Sequence, residues 1–361
     1  MTGNAPRHAP RTASRRLRAV LSWLHLWVGL SVGVVFALVA LTGTVLVFHN
    51  DLLRLQHPQL AQHAPVADGR VLAGLVERWQ PEGLRSLDLP HGDLPVWQGY
   101  FEDGHRAYFA PEDGALLLYR SHEDDVLMWL HDWHTHLLAG ETGEEVLGVF
   151  GWIALGLILT GLYLWWPRRG QWLAHLTMHP GPPVRRWLSW HRSSGALLFP
   201  LLLLATLTGV GMVYSKGFQS VLVGAFGGDT AKPPKLAGDG AVDWPRVLGQ
   251  ADAALPRARL SRVSVPKAND GAVSFRARAE GEWHPVGRST IAIAKAGAGV
   301  LQVNDATANR LGMRMSQAIF PLHVGAVGGA VMKWATAVVG LLPTFLLVTG
   351  FLFWRRRRGR R

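Results

Sequence analysis

Trp23-Leu24-His25-Leu26-Trp27-Val28-Gly29 lies early in the first long apolar run of this 361-residue chain, and its His-x-x-x-Gly pattern returns at His191 to Gly195. Each of these histidines is followed 17 positions later by Thr-Gly, namely Thr42-Gly43 and Thr208-Gly209. A second echo links His134 to Thr160-Gly161 and His323 to Thr349-Gly350, with 26 positions from histidine to threonine both times. An imidazole at the edge of a bilayer is costly without a partner, so four histidines placed by two matched spacings point to function.

The surrounding runs are long enough to cross a membrane. Val20 to Phe48, Val146 to Trp166, Trp187 to Tyr214 and Val331 to Trp354 each meet the requirement of about 20 mostly apolar residues. The net charge of +12 is confined in a telling way: residues 1–19 hold five arginines, 167–186 four and the tail after Trp354 six, without any Asp or Glu. That positive-inside pattern predicts both termini and the middle loop on the cytoplasmic side, and it argues against a nucleic-acid partner. All 25 acidic residues lie in the two other connecting segments. The absence of cysteine excludes disulfides, Cys-ligated clusters and covalent haem attachment.

The two connecting segments repeat each other. Leu84-Arg85-Ser86-Leu87-Asp88-Leu89-Pro90 matches Leu260-Ser261-Arg262-Val263-Ser264-Val265-Pro266 at an offset of 176, and the offset grows from 166 at His25/His191 to 189 at His134/His323. The expected fold class is an α-helical membrane protein with four transmembrane helices as two parallel span-module-span repeats and two periplasmic α+β modules. The predicted segments are a disordered tail 1–16, helix 17–49, module 50–128, ligand segment and helix 129–166, loop 167–186, helix 187–214, module 215–315, ligand segment and helix 316–354, and basic tail 355–361. Every span is expected to be unbroken, which argues against a transporter.

A pseudo-two-fold axis along the membrane normal would bring His25 to His191 near the cytoplasmic face and His134 to His323 near the outer face. Two imidazoles on facing helices suit the axial positions of a b-type haem, whereas zinc wants three or four ligands. Gly29, Gly195, Gly140 and Gly325 are candidate positions for a porphyrin face to approach, or else ordinary close-packing glycines. Arg192, with Arg185 and Arg186, is a candidate partner for propionates. His131 and His136 crowd the outer site and, with Asp132, form an alternative small metal site; His49 is a spare ligand or proton donor.

Leu24-His25-Leu26-Trp27-Val28-Gly29, Trp133-His134-Thr135-His136 through Gly140-Glu141-Thr142-Gly143, Thr160-Gly161 through Trp165-Trp166-Pro167-Arg168, Trp190-His191-Arg192 and Pro321-Leu322-His323-Val324-Gly325 together resemble the PepSY-associated transmembrane proteins. These are also known as iron-regulated membrane proteins and include periplasmic ferric-siderophore reductases. The resemblance runs over residues 18–354 and implies PepSY-like outer modules, with two b haems ligated at the matching histidines. His49, His131 and His136 are additional to that pattern.

The expected function is therefore an oxidoreductase of the bacterial inner membrane. It would carry electrons from a quinol or a cytoplasmic reductase, through two non-covalent b haems, to a small periplasmic acceptor such as a ferric siderophore held between the outer modules. Arg257, Arg259, Arg262, Arg276 and Arg278 are candidates to steer an anionic acceptor, because residues 215–330 carry 14 basic against 8 acidic side chains. The alternative is a membrane-anchored PepSY module that regulates periplasmic peptidases without redox activity.

Overall fold

The computed structural model describes residues 13–167, 170–229, 236–238, 240–295 and 299–359. The first 12 residues of the expected disordered tail, Arg168, and Arg360 and Arg361 of the basic tail lie outside the described residues. The elements run α1 (Ala13–Leu46), α2 (His49–Gln56), α3 (Gly69–Trp79), β1 (Leu84–Asp88), β2 (Trp97–Phe101), β3 (Arg106–Phe109), β4 (Leu116–Arg120), α4 (Val126–His136) and α5 (Gly140–Trp165). They continue as α6 (Trp172–Leu176), α7 (Pro183–Leu197), α8 (Phe199–Val213), α9 (Ser215–Phe226), α10 (Trp244–Ala254), β5 (Ala258–Ser264), β6 (Ala272–Ala279), β7 (Ser289–Ala294), β8 (Val300–Asn304), α11 (Leu311–His323) and α12 (Gly329–Arg358).

Among the described residues α1, α5 and α12 are long and apolar enough to cross a membrane, and α7 with α8 adds a fourth span if that pair counts as one. Such helices imply a lipid bilayer around them. The third span departs from expectation: α7 and α8 meet at a 65° bend rather than as one straight helix. Pro200 in the first turn of α8 is the physical reason, since it has no N–H for the Ala196 carbonyl and its ring clashes with the preceding turn.

The basic ends of the helices gather at one end of the bundle. Trp27 of α1 and Trp354 of α12 meet edge to face at 6.1 Å, and the Arg358 guanidinium covers both rings. Arg18 donates to the Leu164 carbonyl near the end of α5, satisfying one of the carbonyls a helix end leaves open. At the opposite end Lys333 pairs with Asp51 and lies over the Phe48 ring, tying α12 to the chain leaving α1.

The two connecting segments build one antiparallel sheet of eight strands in the order β4-β3-β2-β1-β5-β6-β7-β8. The matched stretches become β1 and β5, and they pair with each other in a register centred on Leu87↔Val263. Alternate side chains point to one face, as the period of a strand requires: Leu87, Trp97, Phe109, Val263, Phe275 and Ile291 all enter a single core beneath α3 and α10. That core is continuous across the junction, so the acceptor cleft expected between two separate modules is not formed among the described residues; paired β1 and β5 occupy its place.

The opposite face of the sheet looks toward the bundle, and a second cluster of Leu53, Leu60, Val96, Tyr108 and Leu127 joins it to α2 and α4. Arg120 at the end of β4 is buried and forms paired bonds of 2.7 Å to both oxygens of Asp125. Asp125 in turn caps α4 by accepting the N–H groups of Leu127 and Met128. Burial alone would raise the Asp125 carboxyl, but the Arg120 and backbone bonds outweigh it and hold the group below the usual carboxylate range. A depressed folded value means stability that is present above about pH 4 and lost as pH falls through the folded value. Asp125→Ala leaves Arg120 buried and unpaired and is expected to destabilise the sheet end by about 3–5 kcal/mol, read as a lowered unfolding midpoint in detergent.

Candidate functional site

The four histidines form two pairs. His25 of α1 and His191 of α7 have ring centroids 6.2 Å apart, and His134 of α4 and His323 of α11 have centroids 6.1 Å apart. His25 is 17 residues from Thr42, the level at which His134 docks, so the pairs are separated by about 25 Å along α1. An apolar layer of Ile158, Leu202, Val339 and Leu342, with Phe36 packed on it, fills the interval.

Each histidine is held by the Thr-Gly of a neighbouring helix, in a crossed pattern. Nδ1 of His25 lies 3.0 Å from Oγ1 of Thr160, and Nδ1 of His134 lies 3.1 Å from Oγ1 of Thr42. His191 meets Thr349 at 3.4 Å, and His323 meets Thr208 at 3.2 Å. The same ring nitrogens reach the carbonyls three positions before these threonines: Leu157 for His25, and Val39 (2.9 Å), Leu346 (2.9 Å) and Ala205 (3.0 Å) for His134, His191 and His323.

That pattern fixes the tautomer. A carbonyl accepts only, and each threonine hydroxyl already gives its proton to its own helix, as Thr42 does to Val39 at 2.7 Å and Thr349 to Phe345 at 2.7 Å. Nδ1 must therefore carry the hydrogen, which leaves Nε2 with a lone pair to offer. This is the arrangement by which outer-shell bonds orient ligating imidazoles.

The glycine after each threonine gives the ring its seat. A Cβ on Gly43 would lie 2.8 Å from Cε1 of His134, on Gly161 3.1 Å from that of His25, on Gly209 3.2 Å from that of His323, and on Gly350 3.4 Å from that of His191. In the sequence the four Thr-Gly pairs carry only spacing; their recurrence is the signal of their role.

The family profile of the PepSY-associated TM region matches residues 22–357. This chain belongs to the PepSY-associated TM family. No curated protein matches it.

The remaining candidates of this family member divide. Gly140 and Gly325 have φ of +56° and +68° and serve the turns that lead into α5 and α12, and a Cβ on Gly325 would strike Oγ1 of Thr336 at 2.5 Å. Gly195 makes an ordinary contact with Leu346, and Gly29 faces open space. Arg192 bonds Nδ1 of His175 at 2.6 Å, and the Arg186 guanidinium lies over Trp187.

His136 pairs with Asp132 at 3.2 Å, but no group of three metal-ligating residues forms among the described residues. The alternative metal site of His131, Asp132 and His136 therefore lacks a clustered ligand set, since 131 and 136 lie on different faces of α4. His49 begins α2 beside the sheet; burial, then Arg106 and Arg120, push it down to about 4, so it is neutral at pH 7.

The arginine candidates separate by face. Arg262 binds both oxygens of Asp88 and lies 4.3 Å over the Tyr100 ring, which commits it to the β1/β5 junction. Arg257, Arg259 and Arg278 are exposed. Arg276 is half-buried on the bundle-facing side of β6.

Proposed function

We propose that this protein carries electrons across a bacterial inner membrane through two b-type haems, one between His25 and His191 and one between His134 and His323, to a small Fe(III) chelate on the sheet side. The observation that carries this reading is the shared geometry of the two pairs. Two metal–nitrogen bonds of about 2 Å, with the ring radius added at each end, give a centroid separation on the order of 6 Å, and both pairs have it. All four imidazoles also hold Nε2 as the lone-pair nitrogen, the state in which they would bind a haem iron.

A haem held by two histidines would supply one-electron transfer rather than gas binding. The chain's own residues do the rest. The carbonyl of the preceding helical turn and the threonine hydroxyl hold each ring in one orientation, and the glycine sets how close it lies to the neighbouring helix. The apolar layer from Phe36 to Leu342 keeps water and ions out of the interval between the pairs.

In this reading the halves are parallel repeats, both termini are cytoplasmic, and a quinol or a cytoplasmic reductase is the donor. One electron delivered outward reduces Fe(III) to Fe(II), which hard oxygen donors hold less well, so the iron is released. The test is a reduced-minus-oxidised absorption spectrum with haem quantification on the detergent-purified chain. About two low-spin b haems per chain are expected. A well-folded chain that stays haem-free when haem is abundant would sink the redox reading and leave the peptidase-regulating module in its place.

A further inference from the structure

The loop between β6 and β7 and the bundle-facing side of β6 place Arg276, Arg288 and His284 together, with no ion pair to either arginine among the described residues. Arg276 stands directly opposite Arg262 in the β5–β6 register, on the same face. Like charges directly opposed in a sheet are destabilising unless something else compensates. Asp88 compensates Arg262 through its paired bonds, and Arg276 has no ion-pair partner among the described residues. Arg288 is half-buried and its Nε is buried without a hydrogen-bond partner.

Glu282, the acid beside Arg288, is already hydrogen-bonded. Glu282 accepts from the backbone N–H of Ala279, Arg288 and Ser289 and from the Ser289 hydroxyl, so its oxygens hold the loop's shape rather than a guanidinium. His284, buried at 7% exposure, takes the Val286 N–H on Nδ1, which leaves Nε2–H as a donor. Burial and then Arg288, Arg276 and Arg262 push its pKa down to about 3, so it stays neutral while still donating.

The position of this cluster relative to the outer histidine pair is what gives it a use. The His284 ring lies 5.0 Å from that of Phe320, and Phe320 is one helical turn before His323 on α11. Guanidinium forks are suited to carboxylates, and desolvated unpaired ones beside a ligand site are costly unless an anion visits them.

We propose that Arg276, Arg288 and His284 form a carboxylate-binding site next to the His134/His323 pair. The carboxylates could come from two sources, an anionic acceptor molecule or the propionates of a haem at that pair. The proposal rests on the electron-transfer reading for its purpose, but its chemistry does not require haem. Among the arginines of the basic segment it singles out Arg276, and it adds Arg288 and His284.

The probe is citrate, titrated by calorimetry into the full chain in nanodiscs, in haem-replete and haem-depleted preparations. Arg276→Gln and Arg288→Gln are each expected to weaken citrate binding roughly tenfold or more, with Arg78→Gln, exposed on α3, unchanged. Citrate binding to the haem-replete chain assigns the site to the acceptor. Binding only to the depleted chain, with faster haem loss to apomyoglobin in the two variants, assigns it to propionates.

Because each substitution removes a half-buried guanidinium that makes no ion pair among the described residues, the variants should unfold no earlier than the parent. Should either unfold earlier, Arg276→Lys keeps the charge and is expected to bind citrate at an intermediate strength. Citrate that binds the Gln variants as well as the parent, or binds neither preparation, overturns the site. A chain that never takes up haem still answers through the citrate titration, so the two failures are separable.

Discussion

His323→Ala is expected to leave about one b haem per chain where the parent has about two, and His25→Ala to do the same at the other end of the bundle. The reasoning is local. Alanine would remove one of the two imidazoles proposed to hold the haem, and no described residue stands ready to replace it: His136 is tied to Asp132 and Thr135. His131 lies on α4 beside His134, and His49 lies near His131, Arg106 and Arg120, so both belong to the His134 side of the pair. Because the pairs are about 25 Å apart along α1, the two losses should be independent and the double variant should carry none. Pyridine haemochrome quantification with the reduced spectrum reads this directly. Retention of both haems in His323→Ala would exclude the outer pairing.

Gly43→Val should empty the outer site while sparing the inner one, even though Gly43 belongs to the same helix as His25. A Cβ at Gly43 lies 2.8 Å from Cε1 of His134, and the branched side chain cannot yield because α1 is packed against α4 at that level. Gly161→Val is the mirror experiment and should empty the inner site, since that Cβ would fall 3.1 Å from Cε1 of His25. Thr42→Val keeps the shape but removes an acceptor for the His134 Nδ1–H, and a loss of about 10- to 100-fold in affinity at that site is the expected size for an outer-shell bond. Haem retention under an apomyoglobin challenge, followed separately for the two sites, tests the crossed assignment. If Gly43→Val empties the site that His25→Ala empties, the crossing is wrong.

The crossing shows where sequence reading stops. The spacings of 17 and 26 identified the four histidines and four Thr-Gly pairs, and rise arithmetic along a helix already forbids His25 from touching Thr42. Which Thr-Gly serves which histidine depends on α1 and α5 running antiparallel, so that the start of one is level with the end of the other.

Local pattern also failed at the third span, where hydropathy reads straight through Pro200 although its missing N–H bends the helix by 65°. The arginines behaved likewise. Composition marked residues 215–330 as basic, but only the sheet register decided that Arg262 meets Asp88 while Arg276 is left facing it without an acid.

The sequence by itself determined the apolar spans, the segregation of the arginines, the four histidines in two matched sets and the two stretches that become β1 and β5. These are carried by composition and by short periodicities that each segment expresses alone. The tertiary structure decided the fusion of two segments into one eight-stranded sheet, which Thr-Gly holds which histidine, and the pairing of Arg262 with Asp88 and of Lys333 with Asp51. Those depend on contacts between residues 90 to 290 positions apart, for which no local periodicity carries a signal.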